Sequence, residues 1–269
     1  MRRLSLALTA ILPIAMVHLQ AHDFWLSATN WQPALESTSV TITGNVGEKF
    51  PLVNDRAAPA GVETWRVIGP NGDLPVTRGF RQQGQSIATS VTMKAPGTYL
   101  GVMTVRARVV ATDGKEFTDY LREEGLEDVI AERAKLGQTN APARERYARY
   151  AKVVVRKGDG PTAHITRPAG LKAEFVPATD PSTIGPGESL VVQFLVGGKP
   201  AAGALLSAMS EKSGLDVRTD ADGRATFVLP HPGPWLIKTV HMIRPAAAGS
   251  PRVDWESYWV TLTFNAGGA

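Results

Sequence analysis

Short runs of alternating apolar and polar residues, each closed by a glycine- or proline-rich cluster, recur along most of the chain. This punctuation restricts the fold more than any other feature. Ser39-Val40-Thr41-Ile42-Thr43 alternates with period two and stops at Gly44. Thr64 to Ile68 is followed by Gly69-Pro70-Asn71-Gly72, and Ser86 to Met93 alternates again before Ala95-Pro96-Gly97. Leu100 to Val110 is a longer apolar stretch. Successive side chains of a strand point to opposite faces, so each run reads as a half-buried strand. With 26 glycines and 19 prolines in 269 residues, turn formers are too frequent for a helical bundle. Short strands at this spacing predict β-sandwiches of immunoglobulin type.

The period changes after Lys115. Thr118 to Gln138 is rich in Glu, Arg, Leu and Ala, with Leu121, Leu126, Val129 and Ile130 near helical spacing. Ala141 to Lys152 follows, with Pro142 placed to start a helix and Tyr147, Tyr150 and Ala151 on one face. Two short helices are therefore expected, and their charges read as a solvated surface. Strand patterning returns with Ala173 to Pro177, Ser189 to Val196, Ala204 to Ala208, Arg224 to Leu229, Trp235 to Met242 and Ser257 to Phe264. The expected fold is mainly β: two immunoglobulin-like β-sandwich domains, 22–115 and 157–269, joined by a two-helix connector, 116–156.

The first 21 residues read differently. Arg2 and Arg3 precede an apolar run from Leu4 to Val17, and Ala21 closes the segment. This is the layout of a cleaved secretory signal peptide, 1–21, which predicts a periplasmic protein with no stable membrane insertion after cleavage. The run is short for a membrane span. Cleavage after Ala21 would leave His22 as the first residue. A terminal histidine offers an α-amine and a ring nitrogen to one ion, and the amine titrates near 7.7–8.0, low enough to surrender its proton to a metal. Imidazole suits copper, nickel, zinc and iron. A further histidine nearby would complete a T-shaped three-nitrogen site, the histidine brace.

Composition removes several alternatives. No cysteine is present, which excludes disulfide scaffolds, thiolate metal sites and cysteine nucleophiles. The formal charge is +4, of which Arg2 and Arg3 supply two, and no basic–aromatic stripe exists, so nucleic acid is not an expected partner. There is no P-loop, dinucleotide fingerprint or serine-nucleophile motif, so an enzyme is not the first expectation. Asp220-Ala221-Asp222-Gly223 lacks the further carboxylates of a calcium loop and reads as a hairpin turn.

Six segments together resemble a known family. They are His22-Asp23-Phe24-Trp25-Leu26, Glu145 to Lys152, Gly170 to Pro177, Thr219 to Ala225, Trp235-Leu236-Ile237 with His241 beyond, and Asp254 to Phe264. In this order they resemble the bacterial secreted family called domain of unknown function 4198, often described as a periplasmic component of cobalt or nickel uptake. The resemblance implies a metal-linked role, with His22 and His241 as ligands and Glu256 as a weaker one. His241 falls on a strand, a rigid platform for a ligand. Alternation puts Asp254 and Glu256 on one face and Trp255 on the other, a carboxylate face able to orient histidine ligands.

The expected function is thus a periplasmic binding protein for a divalent transition metal (nickel, cobalt or copper), serving uptake or buffering. Its partners would be the ion and an inner-membrane uptake system. Two alternatives stay open: a copper-dependent oxidative enzyme with a histidine-brace site, and a β-sandwich interaction module without metal.

Overall fold

The computed structural model describes residues 22–76, 79–245 and 253–267. The expected signal segment, 1–21, lies outside the described residues. Among these described residues sixteen strands and two α-helices follow in chain order. The first half holds β1 (Asp23–Ala28), β2 (Ser39–Gly47), β3 (Val62–Gly69), β4 (Gly72–Pro75), β5 (Arg81–Gln83), β6 (Ser86–Thr92) and β7 (Gly97–Thr112). Helices α1 (Gly114–Glu123) and α2 (Glu127–Lys135) lead into β8 (Ala143–Lys157). The second half holds β9 (Ala173–Pro177), β10 (Ser189–Val196), β11 (Lys199–Pro200), β12 (Leu205–Met209), β13 (Gly214–Arg218), β14 (Arg224–Val228), β15 (Gly233–Ile243) and β16 (Trp255–Ala266).

These strands form three sheets. An eight-stranded sheet runs β13-β12-β15-β16-β8-β7-β3-β4 and draws strands from both sides of residue 157. A four-stranded sheet, β1-β2-β6-β5, packs on one face of it, and the sheet of β9, β10, β11 and β14 packs on the other. Period two decides which residue meets which layer. On β16, Tyr258, Val260, Leu262 and Phe264 enter the core shared with Phe175, Phe194 and Phe227. Trp255 and Trp259, at odd positions of the same strand, turn the other way, to a cluster with Phe117, Tyr120 and Leu121 of α1. On the same side, the hydroxyls of Thr261 and Thr263 donate to the carbonyls of Phe24 and Leu26 in β1.

The helices form where the sequence places helical spacing. Asp113 caps α1, its carboxylate accepting from the amides of Lys115 and Glu116 at 2.9 and 3.0 Å. Phe117, Tyr120 and Leu121 lie at i, i+3 and i+4 and bury one face. The expected second helix over Ala141–Lys152 is corrected: those residues belong to β8, which pairs antiparallel with β7 and parallel with β16. The consecutive β-branched residues Val153-Val154-Val155 favour a strand, and a strand covered on both faces need not alternate in polarity. Of the expected connector, 116–156, only 116–123 and 127–135 are helical. The Asp220 segment is a tight turn, its carboxylate accepting from the amides of Asp222 and Arg224, but the expected hairpin is corrected: β13 and β14 on either side of it lie in different sheets. No helix among the described residues is long and apolar enough to cross a membrane.

Candidate functional site

His22 enters β1 beside a loop that folds back over the end of β2. Asp23 stands opposite Gly47 in the β1–β2 ladder. A Cβ on Gly47 would lie 2.1 Å from the Leu52 carbonyl oxygen, so only glycine lets residues 48–55 close this tightly. The loop is fastened by the Glu48 amide donating to Asn54 Oδ1 at 3.1 Å and the Asp55 amide donating to the Val46 carbonyl at 3.2 Å. These bonds deliver two carboxylates to one imidazole. His22 Nδ1 is 3.1 Å from Asp55 Oδ2, and Nε2 is 3.2 Å from Glu48 Oε1. The imidazole is 16% exposed and each carboxylate 51%. The hydrogen bond from His22, aided by the Arg56 amide, holds the Asp55 pKa below the usual carboxylate value.

The ground under His22 is charged and largely dry. Arg149 of β8 donates to the His22 carbonyl at 2.9 Å. Lys238 of β15 reaches Asp23 Oδ1 at 3.2 Å and Glu124 Oε1 at 3.1 Å. Burial pushes both carboxyl pKa values up, against the pull of Lys238. Burial also works against the ammonium, but two flanking carboxylates outweigh it and raise the Lys238 pKa. Next to this cluster, Trp259 stacks on Tyr120 with ring centroids 5.7 Å apart. Tyr120 and Ser257 both donate to the buried Glu145, whose second oxygen finds no partner. Burial raises the Glu145 pKa, favouring a neutral carboxyl in this apolar pocket.

The three sequence-predicted ligands do not converge. His241 pairs across the ladder with Tyr258, stacks on its ring and meets Phe194 edge-on. It therefore occupies the face of the large sheet turned toward β10, while His22 lies on the opposite face, toward Trp259. Glu256 shares the His241 face but is bound by Arg146, by Lys172 at 3.7 Å and by the Tyr258 hydroxyl at 3.2 Å. Burial lowers the His241 pKa, which favours the neutral ring. Residues the sequence reading missed, Asp55, Glu48 and Arg149, surround His22 instead. Among the described residues no group of three or more His, Cys, Asp or Glu side chains stands close enough to hold an ion by side chains alone.

Residues 19–243 match the family described as Domain of unknown function (DUF4198). No curated protein matches the chain. Among solved structures, a chain from a 1.5-MDa bacterial ice-binding adhesin, studied for host cell surface retention, aligns at 11% identity and a TM-score of 0.24. That alignment covers 91% of this chain and 64% of the adhesin chain. The Bacillus anthracis TIE protein aligns at 12% identity and a TM-score of 0.18, over 92% of this chain and 41% of its own. A two-domain fibronectin type III segment of chicken tenascin aligns at 11% identity and a TM-score of 0.18, over 87% and 95%. All three alignments are extensive in length and poor in geometry.

Proposed function

The chain belongs to the DUF4198 family, and we propose that it is a periplasmic protein that binds a divalent transition metal (nickel, cobalt or copper) through a mature N-terminal His22, for uptake or buffering. The observation that carries this reading is the 3.1 Å separation of His22 Nδ1 and Asp55 Oδ2. Two donors each about 2.1 Å from one ion, at right angles, lie about 3 Å apart. An ion seated between the two atoms would take the place of any proton they share and release it. Glu48, 3.2 Å from Nε2 on the far side of the ring, would accept from Nε2–H when Nδ1 ligates an ion, the usual task of a carboxylate behind a ligating imidazole. Cleavage after Ala21 would add the α-amine, giving two nitrogens and one carboxylate oxygen. That set counts two side chains, His22 and Asp55.

This reading drops His241 and Glu256 from the ligand set. The donors left, nitrogen with carboxylate oxygen, suit borderline divalent ions. The test is export of the full chain, followed by intact mass and metal content for wild type and His22→Ala. A mass starting at His22, with near-stoichiometric metal that the variant lacks, is expected. A different first residue, or a protein that cannot be loaded with nickel, cobalt or copper, would overturn the reading.

A further inference from the structure

A cavity opens between β1 and β7, beside His22 but separate from its ring. Phe24 and Ile87 form part of its apolar wall, and four arginines line it: Arg56, Arg106, Arg108 and Arg149. It encloses about 70 Å³. None of the four forms an ion pair with a described residue. Arg149 makes one hydrogen bond, to the His22 carbonyl, and its Nε is sealed from solvent without a partner. Burial lowers its pKa, opposed by Tyr147, Asp23 and Asp55, with the Arg108 charge adding to the effect of burial.

The buried cations elsewhere in the fold each have at least two acceptors: Lys157 donates to the Ser37 and Met93 carbonyls and Arg133 to the Gln138 and Ala141 carbonyls. Lys152 meets Glu174, and Lys238 meets Asp23 and Glu124. Arg149, with one carbonyl for its five donors and an Nε sealed without a partner, departs from that habit, and a buried donor left unmet is costly; Arg56, Arg106 and Arg108 converge on it from the solvent side. The backbone is shaped to produce the crowding. The β7–β8 register slips by one residue between Val105 and Arg108, so Val105 faces Arg149 while Arg108 faces Tyr147. Bulges of this kind re-aim side chains beside functional sites. All four cations are arginine, whose planar fork pairs two-pronged with carboxylate or phosphate. The enclosed space equals about two waters at about 30 Å³ each, the size of one such headgroup.

We propose that this cavity is a binding site for a small oxyanion, a carboxylate or phosphate group, held by Arg106, Arg108 and Arg149, with the rest of the ligand leaving past Arg56. The site stands independent of metal at His22, although an anion here would offset the positive charge that Arg149 places next to a bound cation.

Calorimetric titration of chelator-treated, metal-free protein at low ionic strength tests it, with inorganic phosphate and citrate as separate probes. Binding of at least one probe below about 1 mM is expected, and the tighter probe identifies the ligand as phosphate or carboxylate. Arg106→Gln with Arg108→Gln should weaken it by at least about tenfold. Both positions are exposed, so the melting temperature without ligand reports whether the variant keeps its fold. Arg149→Lys, which retains charge but loses the fork, gives an independent reading. Arg224→Gln, on the distant β14, should leave affinity unchanged. His22→Ala should also leave it unchanged, because Arg149 holds a main-chain carbonyl there, so loss of metal and loss of anion are read apart. Failure of both probes to bind, or equal weakening by Arg224→Gln, would overturn the proposal.

Discussion

His241 on β15 lies directly across from Tyr258 on β16, and their rings stack with centroids 6.4 Å apart. Tyr258 and Trp259 are neighbours on one strand and point into different layers. His241 is thereby tied to the layer that His22 does not reach. His241→Ala should leave metal content at the wild-type level and affinity within about twofold, as for independent sites. Metal loss in this variant equal to that in His22→Ala, measured side by side, would show that both histidines ligate.

Gly47→Ala tests whether the loop over β2 builds the His22 site. The added methyl would meet the Leu52 carbonyl at 2.1 Å, and Trp25 and Asn54 at 3.0 Å. Backbone has to move, at an expected cost of about 1–3 kcal/mol. Because residues 48–55 carry both Glu48 and Asp55, metal affinity should fall in the same variant. Unaltered affinity in a calorimetric titration would mean that the loop is irrelevant to the ion.

Lys152 and Glu174 are each 2% exposed and form an ion pair across two layers. Lys152 also donates to the Phe175 carbonyl at 2.8 Å, while Glu174 accepts from the amides of Ala169, Gly170 and Leu171. Burial pulls the Lys152 pKa down, opposed by Glu174. Removing either partner alone leaves a buried charge, at a cost of about 3–5 kcal/mol. Lys152→Met with Glu174→Gln should cost less than the sum of the single changes. Simple additivity in a urea-denaturation cycle would contradict a coupled pair.

Alkaline pH should loosen the fold through Tyr150. Burial, with Tyr258 beside it, pushes its pKa from 10.0 up to about 12. In the unfolded chain the phenol ionises near pH 10, as free tyrosine does. Its contribution to stability is intact below that pH and is lost as pH rises through about 12. Over this window the melting temperature of wild type should fall more steeply than that of Tyr150→Phe. Parallel curves would assign the alkaline loss to other groups.

The half-buried strands were legible because their polarity alternates: β2, β6, β10 and β14 all read directly from residues such as Val40, Ile42, Leu190 and Val192. β8 was not, because it is covered on both faces and its charged residues find partners far away in sequence. Arg146 meets Glu256 and Arg149 meets the His22 carbonyl, contacts that a local window cannot contain. The opposite facing of Trp255 and Glu256 was legible from alternation alone. His22 stood out through the chemistry of a terminal histidine. Asp55 and Glu48 gave no local signal, since they meet the ring only after Gly47 lets the chain turn back.

The hydroxyls of Thr261 and Thr263 reach the carbonyls of Phe24 and Leu26 across 237 residues of chain. Such closures are costly in entropy until many others form with them. β16 supplies side chains to layers on both of its faces, so neither layer is complete until the far end of the described chain has joined residues near its start.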